Sequence, residues 1–128
     1  MNVLLDTHIL IWIMNDPSRL SQKAQHYIRH ADSLYVSAAS IWEICIKMQI
    51  NKIQLDLPVF MNEIEVIGLR SLAITQAHTR YIPQLPLYHE DPFDRMLIAQ
   101  AMSEPLTLLT HDVALAPYSP LVQTLDTL

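Results

Sequence analysis

The chain has a single glycine, Gly68, among its 128 residues. Phosphate-cradling P-loops and dinucleotide-binding loops need several glycines, so nucleotide-cofactor chemistry of those types is excluded. A single cysteine, Cys45, rules out an internal disulfide and points to a reducing compartment. Only 16% of residues are charged, and acids outnumber bases to give a formal net charge of −5. That balance argues against a broad basic footprint for nucleic acid, although divalent ions supply positive charge locally where acids cluster. No apolar run approaches the ~18 residues that a membrane span needs. Met1 to Met14 superficially resembles the apolar part of a signal peptide, yet it lacks a basic start and is interrupted by Asp6 and His8. A soluble, cytoplasmic protein is expected.

Hydrophobic residues, in contrast, make up 51% of the chain. Its length fits one domain over residues 1–128 with one core, and such a core does not hide this much apolar surface. An exposed apolar patch, covered by a partner or by a second copy, is the expected consequence.

Short apolar runs alternate with helical patterns. Val3-Leu4-Leu5, Leu34-Tyr35-Val36, Leu69–Ile74 and Leu106–Thr110 read as strands, with Leu121-Val122 as a short fifth. Helices are expected over Ile9–Met14, from a Ser21 cap to His30, after Ser37–Ser40, over Leu57–Ile67, over Thr75–Tyr81 and over Phe93–Met102. Pro83, Pro86 and Pro92 mark a loop, and Asn51 a left-handed helix end. The alternation predicts an α/β fold with a mostly parallel sheet of four to five strands, covered on both faces. Ligands of such sheets bind beyond the carboxyl ends of the strands.

Four acids fall at that edge. Asp6 closes the first strand, Glu43 lies early in the helix after the second, Asp94 opens the helix that feeds the fourth, and Asp112 follows the fourth. Two carboxylates ~5 Å apart at an effective dielectric of about 20 repel by about 3 kcal/mol. Such a cluster takes up protons or binds a cation, and oxygen ligands suit Mg²⁺ or Mn²⁺. The chemistry that follows is phosphodiester hydrolysis without a covalent intermediate. Each acid also has a plainer reading. Ser40–Glu43 is a capping-box pattern, Glu43 has Lys47 four residues on, and Asp91-Pro92-Phe93-Asp94 reads as a cap with an acid at N3. Asp112 is placed to cap a helix from Val113. His26 and His30 have the spacing of a zinc pair without a third ligand. His8, His78, His89 and His111 are scattered, and Cys45 among Ile44 and Ile46 reads as core.

Leu4-Leu5-Asp6-Thr7-His8, Ser40-Ile41-Trp42-Glu43-Ile44 with Lys47, the run from His89 through Asp91-Pro92-Phe93-Asp94-Arg95 to Ala101, and Leu109-Thr110-His111-Asp112 together resemble the PIN-domain family, in particular its VapC-like toxins. The resemblance implies a three-layer α/β/α fold and a metal-dependent endoribonuclease inhibited by a cognate antitoxin. It carries metal-ligand roles to Asp6, Glu43 and Asp94, with Asp112 as the usual fourth acid, and hydroxyl support to Thr7 and Thr110. Arg95 and Lys47 lie near the acids as phosphate contacts or as salt-bridge partners. A homodimer is expected, with RNA as substrate. The match departs at Asn51-Lys52-Ile53, where relatives often carry glycine, and over Pro117–Leu128. A DNA or structure-specific nuclease and an inactive antitoxin-binding module remain as rivals. A response-regulator-like acid pocket would need a lysine after the fourth strand, which is missing.

Overall fold

The computed structural model describes residues 1–128. In chain order the elements are β1 (Asn2–Leu5), α1 (Thr7–Asn15), α2 (Gln22–Arg29), β2 (Ser33–Ser37), α3 (Ala38–Gln49), α4 (Leu57–Val66), β3 (Arg70–Leu72), α5 (Gln76–Tyr81), α6 (Pro92–Ser103), β4 (Thr107–Thr110) and β5 (Val122–Thr124), with short 3₁₀ turns between them. All five strands are parallel, in the order β3-β2-β1-β4-β5.

Val3, Leu4 and Leu5 are fully buried, as expected for a central parallel strand with both faces covered. Side-chain alternation divides them. Val3 and Leu5 join Leu109 of β4, Ile9 and Leu10 of α1, Ile44 of α3, and Phe60 and Ile64 of α4 in one apolar layer. Leu4 joins Leu108 of β4 with Leu97, Ile98 and Ala101 of α6, Leu115 and Tyr118 in the other. The result is the parallel sheet covered on both faces that the alternating pattern anticipated, in the three-layer α/β/α arrangement that the family resemblance implied. No helix is long and apolar enough to cross a membrane.

The helix starts explain where the acids stand. Asp6 caps α1, its Oδ1 accepting from the Ile9 N–H at 3.0 Å, so the helix begins at Thr7 rather than Ile9. Asp91 caps α6 through the N–H groups of Phe93 and Asp94, and Pro92 takes N1. Asn51 closes α3 in the left-handed region, at φ 59°.

Four local features differ from the sequence pattern. The Ser40–Glu43 capping box does not form: β2 runs to Ser37, whose hydroxyl caps α3 at the Ala39 N–H, leaving Ser40 inside the helix. A capping box forms instead at Thr75 and His78. β3 is confined to Arg70–Leu72, because it is an edge strand with β2 as its one neighbour and Thr75 opens a helix just after it. β5 spans Val122–Thr124 rather than Leu121-Val122, in register with Leu108–Thr110. Cys45 is half-buried and lines an apolar groove instead of the core. His26 and His30 stack at an exposed helix end, 3.9 Å apart, with the His30 ring held to the His26 carbonyl.

Candidate active site

β1 has β2 on one side and β4 on the other, so the chain reverses its direction of travel across the sheet between β1 and β4. Helices on either side diverge at such a switch point and leave a crevice at the carboxyl ends. Asp6 and Thr110 are the residues at those ends. The Asp6 N–H donates to the Leu109 carbonyl at 3.0 Å, and the Thr110 hydroxyl donates to Asp6 Oδ2. The Thr110 oxygen also accepts the Asp112 N–H at 3.0 Å. One buried hydroxyl thus ties the acid after β1 to the segment carrying the acid after β4. Asp6 is only 2% exposed, and its oxygens are held by Ile9 and Thr110 in one orientation.

The other acids each have a partner of their own. Glu43, also buried, pairs with Lys47 at 3.1 Å along α3. Asp94 accepts a hydrogen bond from His89 at 2.8 Å. Asp112 caps the following 3₁₀ turn through the Ala114 N–H. His8 and His111, whose rings lie 4.7 Å apart, connect them: His8 feels the charges of Asp6 and Glu43, and His111 those of Asp6, Asp94 and Asp112. The hydrogen bond to Asp6, at 3.5 Å, raises the His111 pKa, and the charges of Asp6, Asp112 and Asp94 add to it against burial. Burial lowers that of His8 despite the opposing pull of Asp6 and Glu43. Asp6, His8 and His111 offer ligand atoms within 4.8 Å of one another, as do His89, Asp94 and Asp112.

Asp94 carries the electrostatic strain of this crowding. Burial, with Asp91 and Asp6 nearby, pushes its carboxyl up to about 6, against the stabilising hydrogen bond from His89. A carboxyl that resists ionising beside other acids is suited to a cation; the two groups offer three carboxylates and three imidazoles, a donor set open to a divalent ion that accepts both oxygen and nitrogen, and Glu43 belongs to neither group.

The supporting residues divide. Thr110 holds Asp6, whereas the Thr7 hydroxyl donates to Ser40 at 2.9 Å. Arg95 is buried, and its guanidinium donates to the carbonyls of Pro86, Ile82, Leu85 and His89 and to the Tyr118 hydroxyl. Neither a phosphate contact nor a salt bridge describes it, because the proline-rich loop before α6 turns its carbonyls inward onto the guanidinium. Arg95→Lys is therefore expected to lower stability by about 2–4 kcal/mol, since one ammonium cannot replace a planar fork spread over several carbonyls. Thermal melting and proteolysis within residues 82–89 check this, and the folded fraction should bind substrate normally. The three histidines were separate marks in the sequence. Their signal was proximity to an acid: His8 follows Asp6 by two, His111 precedes Asp112, and His89 precedes Asp94 by five.

An all-parallel α/β domain with carboxylates at its switch point suits metal-assisted phosphodiester hydrolysis, and the single glycine excludes the glycine-rich loops of nucleotide-cofactor enzymes. The comparisons narrow this class. The PIN-domain family profile matches residues 3–118. Ribonuclease VapC22 of Mycobacterium tuberculosis is 34% identical over 113 residues, 86% of each chain. The chain belongs to the PIN-domain family. Its fold is shared with a chain of VapBC2 from Rickettsia felis, crystallised bound to a DNA fragment from its promoter, at a TM-score of 0.71 and 14% identity over 97% of this chain and 98% of that one. A chain of FitAcB from Neisseria gonorrhoeae gives 0.70 at 18% identity, over 98% of this chain and 99% of that one.

Proposed function

We propose that this PIN domain, spanning residues 1–128, is a metal-dependent endoribonuclease and the toxin of a toxin–antitoxin pair. The observation that carries the reading is the Thr110–Asp6 tie at the switch point, with Glu43, Asp94 and Asp112 gathered around the same pair of histidines. Asp6, Glu43, Asp94 and Asp112 would hold Mg²⁺ or Mn²⁺, the latter favoured wherever an imidazole joins the oxygens. The bound ion would supply Lewis acidity for phosphodiester hydrolysis and neutralise the carboxylates. The chain's own part is positioning. Ile9 and Thr110 fix Asp6, Lys47 steers Glu43, and His89 holds Asp94 while favouring its ionised form. The ribonuclease name of the 34%-identical relative supports RNA as substrate.

The antitoxin would occupy an exposed apolar surface. A groove of about 700 Å³ is lined by Ile41, Trp42, Cys45 and Met61, and Trp42, 59% exposed, leans edge-on against Phe93 towards α6. This is the kind of apolar patch expected from composition, and a toxin–antitoxin complex among the structural relatives supports a protein partner. The remaining exposed apolar residues, Val66 and Ile67 among them, are consistent with a homodimer. A reducing cytoplasm suits the single free thiol.

Incubation of single-stranded RNA with the purified chain tests the reading. Cleavage should require Mg²⁺ or Mn²⁺, stop in chelator and fall by at least about a thousandfold in Asp6→Asn, the equivalent of several kcal/mol. Chelator-resistant cleavage, or preference for single-stranded DNA over RNA, would defeat it.

A further inference from the structure

We infer that His111, His8, Trp12 and Arg19 form a stacking subsite for one unpaired nucleotide flanking the scissile phosphate. The inference takes the class of its ligand from the ribonuclease reading. The His8 ring lies 4.7 Å from His111 and 6.2 Å from Trp12, and Trp12 meets His111 edge-on at 5.2 Å. The Arg19 guanidinium lies over the Trp12 ring at 4.8 Å. The group begins at the acids, where His111 touches Asp6. It continues outward, because Trp12 stands one helical turn beyond His8 on α1. His8, His111 and Arg19 are exposed, and Trp12 is half-buried against the core beneath the Arg19 guanidinium, so the imidazoles and the guanidinium plane are the parts of the group that face solvent.

The chemistry of the rest of the chain says why this surface matters. At a net charge of −5, with carboxylates ringing the catalytic edge, long-range attraction for a polyanion is weak. Affinity must come from contacts that do not depend on net charge. Stacking of bases on aromatic rings and on guanidinium planes is such a contact, and every base offers a face for it. Arg19 adds a cation outside the acid cluster, within reach of a neighbouring phosphate. Bases locked in a duplex cannot lie on these rings, so the subsite selects single-stranded segments and loops.

The test uses the whole chain with Mg²⁺, and compares wild type with Trp12→Leu, which keeps apolar volume against the core, and with Arg19→Ala, which removes an exposed side chain. Circular dichroism verifies folding. Binding of a fluorescein-labelled single-stranded RNA is followed by anisotropy, and cleavage by initial rates, each with intact RNA and with RNAs carrying one abasic position on either side of the cut. Trp12→Leu should weaken binding and raise KM about tenfold with kcat nearly unchanged. One abasic position should cost the wild type about as much and cost Trp12→Leu nothing further. Arg19→Ala should weaken binding several-fold. Equal binding by wild type and both variants, additive losses from the abasic position and Trp12→Leu, or no RNA binding at all would overturn the subsite. Trp12-dependent binding without cleavage would keep the subsite and overturn the ribonuclease reading. Cleavage indifferent to Trp12 and to abasic positions would do the reverse.

Discussion

Asp94→Asn is expected to stop RNA cleavage and, in the same protein, to raise the melting temperature of the metal-free chain. The two effects have one cause. Asp94 lies in the first turn of α6, and its carboxyl stands at about 6 against the ordinary 3.8, chiefly through burial. Between those values the folded chain holds a proton that the unfolded chain has released. Stability therefore falls as pH rises from about 4 to about 6, and the full cost persists above that range. The gap amounts to about 3 kcal/mol at neutral pH. Asparagine removes the charge but weakens the hydrogen bond from His89, leaving a net gain of about 1–2 kcal/mol, or about 3–8 °C in Tm. Losing the ligand costs several kcal/mol of transition-state stabilisation, about a thousandfold or more in rate. Melting in chelator at pH 5 and pH 7.5, beside RNA cleavage with Mg²⁺, checks both halves. The variant's advantage should be confined to the higher pH. A variant that melts below wild type at pH 7.5 in chelator, or that still cleaves, contradicts the assignment. Because a bound ion must displace the Asp94 proton, apparent metal affinity should also rise with pH up to about 6 and level off above it.

Thr110→Val tests how the acids are held rather than which acids act. The Thr110 side chain is completely buried, and its one oxygen both donates to Asp6 and accepts from the Asp112 backbone. Valine keeps the shape and deletes both bonds. Asp6 would lose a charge-assisted hydrogen bond and the Asp112 N–H its partner, a cost of about 1–3 kcal/mol in stability. The larger effect is on function, since groups that orient metal ligands are typically worth about 10–100-fold in affinity or activity. The variant should need more Mg²⁺ for half-maximal cleavage, and Thr110→Ser, which restores the hydroxyl, should recover most of the loss. Equal metal dependence in Thr110→Val and wild type would show that the tie is incidental.

The fold was legible where physics acts locally and repetitively. Val3-Leu4-Leu5 is apolar on both faces because strands cover both of its edges and helices both of its faces, and that pattern needs no tertiary knowledge to read. Asp6 stood out because an acid closing such a strand has no obvious partner in the pattern; the fold supplies two, the Ile9 N–H that it caps and Thr110 at the same end of the adjacent strand. Residues whose partners come from distant loops were harder. Arg95 sits beside Asp94 in sequence and looks available, yet its hydrogen bonds go to carbonyls between Ile82 and His89 that no pattern announces. Ser40 satisfied the capping rule as written, but the register of β2 carried the strand to Ser37 and gave the cap to that residue. His78 reads as one more isolated imidazole. In the fold it is buried, its Nδ1 facing the Thr75 N–H and its Nε2 facing Glu104 at 2.6 Å, so it joins α5 to the end of α6. The convergence of His8, His89 and His111 on the acids likewise depends on strand order, which sequence periodicity does not encode.

Mn²⁺ binding at pH 7.5, followed by paramagnetic resonance of the free ion, addresses the central claim most directly. Wild type is expected to take up Mn²⁺ saturably, with Mg²⁺ competing, and Asp6→Asn and Asp94→Asn each to abolish or greatly weaken the uptake while remaining folded. Uptake by the two folded variants indistinguishable from that of wild type would mean that these carboxylates do not share an ion.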